Sequence, residues 1–244
     1  MLIAAATVLT GWESLRPGWI DLSGPVVRAV GAGPPPKAVD VDFGAATVVP
    51  GFVDTHVHGG GGASFSAATP TETAAAVQFH RRHGTTTLVA SLVTADPGEL
   101  LRQVTALADQ ARAGLIAGIH LEGPWLAAQR CGAHDASLLR DPDPEELDSV
   151  LSAGRETIRM VTLAPERAGA LAAIGRVIDA GAVAAVGHTE ATYEQTRAAI
   201  KAGATVGTHL FNAMRPIHHR EPGPVIALLE EPGVTVELIA DGVH

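Results

Sequence analysis

The sequence predicts an α/β protein, a (β/α)8 TIM barrel preceded by a small β domain. Three observations predict it. From residue 47 onward the chain repeats one unit: an apolar run, a polar end, a Gly/Pro loop, a capped helix, a glycine, then the next run. The apolar runs are near-continuous Val, Ile, Leu and Ala, the pattern of parallel strands buried on both faces. Several runs end in His or Glu. A doubly wound sheet would share the first two features. The third favours the barrel, where all carboxyl-terminal strand ends converge on one face.

Residues 1–46 are read as the small β (sandwich-like) domain. Their short apolar runs are broken by Gly and Pro, and Gly31-Ala32-Gly33-Pro34-Pro35-Pro36 is a turn or linker. The barrel domain spans residues 47–244. Its first strand starts at Thr47 and ends in His56 and His58. Thr69-Pro70-Thr71-Glu72 is read as a capping box that starts a helix ending at Gly84. Residues 85–94 form a strand, and Asp96-Pro97-Gly98-Glu99 starts the next helix. Residues 115–121 form a strand. Asp143-Pro144 starts a third helix, ahead of a strand at 158–164. Helices over 167–180 and 190–202 alternate with strands at 182–186 and 204–208. A short helix near 224–230 precedes the last strand, 234–240. Seven barrel strands result; the eighth is missing from the chain.

Bulk properties narrow the function. With 46% hydrophobic and 18% charged residues, the 244-residue chain can bury a large core. A net charge of −9 argues against a nucleic-acid surface. One cysteine, Cys131, permits no internal disulfide and fits a cytoplasmic location. No run reaches transmembrane length, so no membrane partner is expected. Cys131 lies in a loop with Gly132 and His134 and is expected near a pocket mouth.

In Pro50-Gly51-Phe52-Val53-Asp54-Thr55-His56-Val57-His58-Gly59, the two histidines lie two residues apart on an extended strand and face one side. Later strand ends carry His120-Leu121-Glu122-Gly123-Pro124, Gly187-His188-Thr189 and Thr208-His209-Leu210-Phe211-Asn212. Four imidazoles and one carboxylate would meet in a barrel. Such nitrogen and oxygen donors suit Zn, Fe, Mn or Co, and a carboxylate can bridge two ions. Gly59-Gly60-Gly61-Gly62 is expected to let the backbone pass close to the metal centre.

These motifs, with Arg220-Glu221-Pro222-Gly223 and Asp241-Gly242-Val243-His244, resemble the N-acetylglucosamine-6-phosphate deacetylase family of the amidohydrolase superfamily. The resemblance implies a metal-dependent hydrolase that converts N-acetylglucosamine 6-phosphate to glucosamine 6-phosphate and acetate. It implies that Glu122, His188 and His209 hold one divalent metal, with zinc the first candidate. His56 and His58, with Glu122 bridging, would hold a second. His134, Asn212, Ala213, Arg220 and His244 match substrate contacts, Arg220 being delivered from a partner subunit of a homodimer. The family's proton-transfer Asp matches no residue here and is expected beyond residue 244, in the missing strand. The chain is therefore read as a piece of a longer enzyme, unable by itself to turn over substrate. The alternatives are another amidohydrolase (a deaminase or cyclic amidase) and, if 244 residues are the whole protein, an inactive metal-binding fragment.

Overall fold

The computed structural model describes residues 1–244. It divides into two compact units, Met1–Phe52 and Val53–His244.

The first unit is all β. A four-stranded sheet runs in the order Val26–Ala32, Gly18–Ser23, Leu2–Ala5, Val41–Asp42. A three-stranded sheet places Thr7–Leu9 between Ser14–Leu15 and Thr47–Val48. Leu2, Ala5 and Val8 are the buried apolar side chains of the first unit. Thr47–Val48 was expected to open the first barrel strand. It pairs in parallel with Thr7 and Val8 instead and belongs to the small unit. The reason is local: Pro50 has no N–H to give a ladder, so Pro50-Gly51 separates two strands that the apolar pattern ran together. The boundary accordingly falls after Phe52, not after residue 46.

The second unit alternates strands and helices. Its strands are β1 (Phe52–Val57), β2 (Thr85–Leu92), β3 (Gly118–Glu122), β4 (Ile158–Leu163), β5 (Val183–Val186), β6 (Val206–Gly207) and β7 (Thr235–Val236). Its helices are α1 (Pro70–Arg81), α2 (Pro97–Arg112), α3 (Pro144–Ala153), α4 (Ala170–Asp179), α5 (Tyr193–Lys201) and α6 (Gly223–Leu229). The sheet order is β7-β6-β5-β4-β3-β2-β1, and the pairings from β2 through β7 are parallel. Spatial order equals chain order, whereas a doubly wound sheet would reverse at a switch point. The two end strands also approach each other. Thr55 Oγ1 donates to Glu237 Oε1 (3.1 Å), just past β7. The sheet is therefore curled into seven strands' worth of a (β/α)8 barrel.

The helix starts obey capping chemistry. Thr69, Asp96, Asp143 and Thr192 each accept backbone N–H bonds from the first turn, and the first three precede a proline. The capping box expected at Thr69 is only half formed, because Glu72 turns away to accept from the Ser64 N–H. The complete box is at Thr192 and Gln195. Leu100, Val104, Leu107, Ile119, Leu121, Val161, Leu163, Ile174 and Val186 are fully buried. Each contributes roughly 1.5–3 kcal/mol through burial. β3 is buried along its whole length and ends in Glu122.

Candidate metal centre

Glu122 is the hub. Its Oε1 lies 3.0 Å from His209 Nε2, 3.1 Å from His188 Nε2 and 3.3 Å from His56 Nε2. Its Oε2 lies 2.9 Å from His58 Nε2 and 3.3 Å from His134 Nε2. The first four histidines approach from β1, the turn after β5 and the turn after β6. The imidazole nitrogens also face one another: His56 and His58 Nε2 are 3.2 Å apart, His188 and His209 Nε2 3.0 Å. A tetrahedral ion bound at about 2.0–2.1 Å sets its nitrogen donors roughly 3.3 Å apart. The five expected ligands therefore converge with the spacing a shared cation imposes.

The outer ring nitrogens select the tautomers of four of these imidazoles, while His209 Nδ1 is buried with no hydrogen-bond partner. His58 Nδ1 donates to the Ser91 carbonyl (3.1 Å) and His188 Nδ1 to the Arg130 carbonyl (2.7 Å). His56 Nδ1 donates to the Glu237 carboxylate (3.2 Å). A proton committed to Nδ1 leaves the Nε2 lone pair for a metal, the usual arrangement around metal-bound histidines. His134 differs. Its Nδ1 accepts the Thr94 backbone N–H (3.2 Å), so a neutral ring carries its proton on Nε2 and aims it at Glu122. Distance alone would group His134 with Glu122 and His188 as a ligand set. The hydrogen-bond direction makes it a proton donor facing the site. The donor set of His56, His58, Glu122, His188 and His209 fits a divalent cation.

The electrostatics agree. Burial works against the Glu122 carboxylate, but hydrogen bonds from His134, His188, His209 and His56 outweigh it and hold its pKa well below the carboxylate range. Burial also opposes a charge on His56. Its bonds to Glu122 and Glu237 prevail and raise its pKa to about 9. A proton and a metal ion thus compete for the same Nε2. The backbone bends to deliver two ligands: His188 (φ 47) and His209 (φ 29) are left-handed, as are Phe211 (φ 74) and Ala213 (φ 50). Only a few per cent of non-glycine residues adopt this conformation; here Ala68 and Glu156 do so as well, away from the cluster.

The other expected residues are placed differently. Asn212 and Ala213 lie in the turn that carries His209; Asn212 N–H donates to the His209 carbonyl, and the Ala213 carbonyl accepts from Thr189. Arg220 is exposed on the loop before α6, and none of its hydrogen bonds reaches the cluster. His244 pairs with Asp241 through Nδ1 (2.9 Å), and that carboxylate also accepts the Val243 and His244 N–H groups. Cys131 is partly exposed in the loop beside Arg130. The glycine run has another purpose than expected. Gly59 and Gly60 form a hairpin with Ala63 and Ser64; a Cβ on Gly59 would collide with the Ala63 carbonyl, and one on Gly60 would lie 2.6 Å from His80 Nε2. Glu237, Ser91, Thr94 and the Arg130 carbonyl were missed. Glu237 lies 181 positions from His56, and an ordinary strand glutamate carries no signal for that pairing.

Residues 47–244 match the Amidohydrolase family. The chain belongs to the amidohydrolase family. It is 35% identical to N-acetylgalactosamine-6-phosphate deacetylase of Escherichia coli O157:H7, over 93% of this chain and 62% of that protein. It is 38% identical to N-acetylglucosamine-6-phosphate deacetylase of Vibrio furnissii, over 84% of this chain and 52% of that protein. Among solved structures it matches N-acetyl-D-glucosamine-6-phosphate deacetylase of Mycobacterium smegmatis, a mutant of which was solved with N-acetyl-D-glucosamine-6-phosphate. The identity is 70% and the TM-score 0.99, over 100% of this chain and 64% of that one. The chain thus spans between about half and two thirds of these amidohydrolases' lengths. No helix is long and apolar enough to cross a membrane.

Proposed function

We propose that the protein is a metal-dependent deacetylase of N-acetylated amino-sugar 6-phosphates. N-acetylglucosamine 6-phosphate would be its substrate, with glucosamine 6-phosphate and acetate as products. The observation that carries the reading is the five-residue donor set around Glu122, in a chain 70% identical to an enzyme named for this reaction. Glu122, His188 and His209 would hold one divalent ion. His56 and His58, with Glu122 bridging, would hold the second. Zinc is the first candidate for this nitrogen-rich set, and Fe, Mn and Co suit the same donors. Such an ion supplies hydroxide at neutral pH and polarises a carbonyl, which an unreactive amide needs.

The chain's own residues do the rest. Glu237, Ser91 O and Arg130 O fix the tautomers of His56, His58 and His188. His134 presents an N–H that can move from Glu122 to a substrate oxygen. Asn212, Ala213 and His244 would contact sugar and phosphate. Arg220, whose guanidinium is a fork suited to phosphate, would do so across a homodimer. A cytoplasmic location fits the single cysteine.

The test is acetate release by the complete protein, after metal removal and reloading. The panel is N-acetylglucosamine 6-phosphate, its galacto epimer, unphosphorylated N-acetylglucosamine and a cyclic amide. Preference for a 6-phosphate supports the reading, and the epimer ratio fixes the sugar. Turnover of the cyclic amide alone would overturn it.

A further inference from the structure

A (β/α)8 barrel is ordinarily filled with branched apolar side chains. One interior layer of this barrel is polar and lies directly beneath the ligands. His120, on β3, is fully buried and uses both ring nitrogens. Nδ1 lies 2.9 Å from Ser91 Oγ on β2, and Nε2 lies 2.8 Å from Thr162 Oγ1 on β4. Thr162 Oγ1 continues to Thr208 Oγ1 (2.8 Å), the residue before His209. Ser91, Thr162 and Thr208 are fully buried too.

Ser91 is where this layer meets the metal centre. Its hydroxyl oxygen accepts the backbone N–H of Val57 (3.0 Å), the residue between His56 and His58. Its carbonyl accepts from His58 Nδ1. The His120 ring packs edge to face against His56, with centroids 4.6 Å apart. One serine and one histidine therefore grip the His-x-His segment of β1 from beneath.

A serine hydroxyl has one proton to place. To receive the Val57 N–H and remain fully paired, Ser91 must send its own proton to His120 Nδ1. The His120 proton then sits on Nε2 and goes to Thr162, and the Thr162 proton goes to Thr208. We propose that His120 is a positioning residue: by accepting the Ser91 proton it orients that hydroxyl toward Val57 and fixes His56 and His58 for metal. This rests on the metal-centre reading above.

Two measurements on the complete protein test it. The first is zinc affinity, by competition with a chromophoric chelator, for the unsubstituted protein, Ser91→Ala and His120→Leu, with thermal melting followed in parallel. Ser91→Ala removes one atom and keeps the carbonyl that His58 uses. The expected result is that the zinc held by His56 and His58 loses about tenfold or more in affinity, the scale typical of lost outer partners of metal ligands. The other zinc should change less than threefold. Affinities for both ions within twofold of the unsubstituted protein, in folded Ser91→Ala, would overturn the proposal. No zinc uptake by the unsubstituted protein would overturn the metal-centre reading and this inference with it. The second needs no variant: the ¹⁵N shifts of the zinc-loaded protein report the tautomer of each imidazole. A proton on His120 Nε2 supports the proposal, and a proton on Nδ1 overturns it.

Discussion

The metal centre has two halves, and they are built differently. Glu122 ends β3, a central strand buried along its length, and its side chain is 4% exposed. His188 and His209 follow β5 and β6 and are nearly as buried, at 6% and 12%. His56 and His58 stand on β1 and are 15% and 37% exposed. In the first half the Arg130 carbonyl fixes the His188 ring. More hydrogen bonds hold the second: Glu237 on His56, the Ser91 carbonyl on His58, the Ser91 hydroxyl on Val57. The more exposed half is thus the one whose ligands are fixed individually by more partners.

The comparison can be broken most severely at the shared residue. Glu122→Gln keeps the shape and removes the charge that all five imidazoles face. Metal content after dialysis should fall to background in both halves, a larger effect than the 10–100-fold typical of losing an outer partner. Retention of one tight ion in that variant would show that the halves do not share Glu122. Next comes a contrast between ligands. His188→Ala should remove the tighter ion and with it activity, while His58→Ala should leave close to one ion per chain, read by elemental mass spectrometry. Equal losses in the two would show one cooperative centre rather than two halves.

A smaller effect sharpens the role of the tethers. Glu237→Gln should weaken the His56–His58 half about 10–100-fold and spare the His188–His209 half, seen as a split in the two zinc affinities. The pH dependence follows from His56, whose pKa is raised to about 9 in the metal-free protein. At pH 7.5 that residue is protonated, and a metal ligand must give its proton up. Metal uptake should therefore release close to one proton from His56, measurable by calorimetry in buffers of different ionisation heat. Apparent affinity should climb until about pH 9. The same raised value stabilises the metal-free fold in full below the ordinary histidine pKa of 6.5, and that contribution fades as pH rises through about 9. The smallest effect is at the Arg130–Glu190 pair, which borders His188 and is about a third exposed on both sides. Glu190→Gln should cost about 1 kcal/mol or less in thermal melting and leave metal content unchanged.

Much of this was legible in the chain itself. The repeat of apolar run, cap and glycine gave the alternation of strands and helices, because strand burial and helix capping are encoded locally, and the His and Glu residues at the strand ends favoured the barrel. Thr69, Asp96 and Asp143 before proline marked helix starts that the structure keeps. The metal donors were visible because each is a distinctive side chain at the end of an apolar run. Where local chemistry was ambiguous, reading along the chain erred. Thr47–Val48 continues the pattern into β1, yet pairs with Thr7–Val8. Glu72 completes a capping box on paper, yet bonds Ser64. Gly59 and Gly60 sit beside the metal centre, yet serve a hairpin and the packing of α1.

The sequence by itself determined which residues can donate to a metal and which strands end in them, since both follow from residue type and periodicity. Only the tertiary structure decided which of these histidines have a free lone pair. That depends on what each Nδ1 meets: a carboxylate just past β7 for His56, carbonyls for His58 and His188, a backbone N–H for His134. An imidazole has the same formula in either tautomer. The partner that selects one lies up to 181 residues away and is brought to it only when the sheet curls.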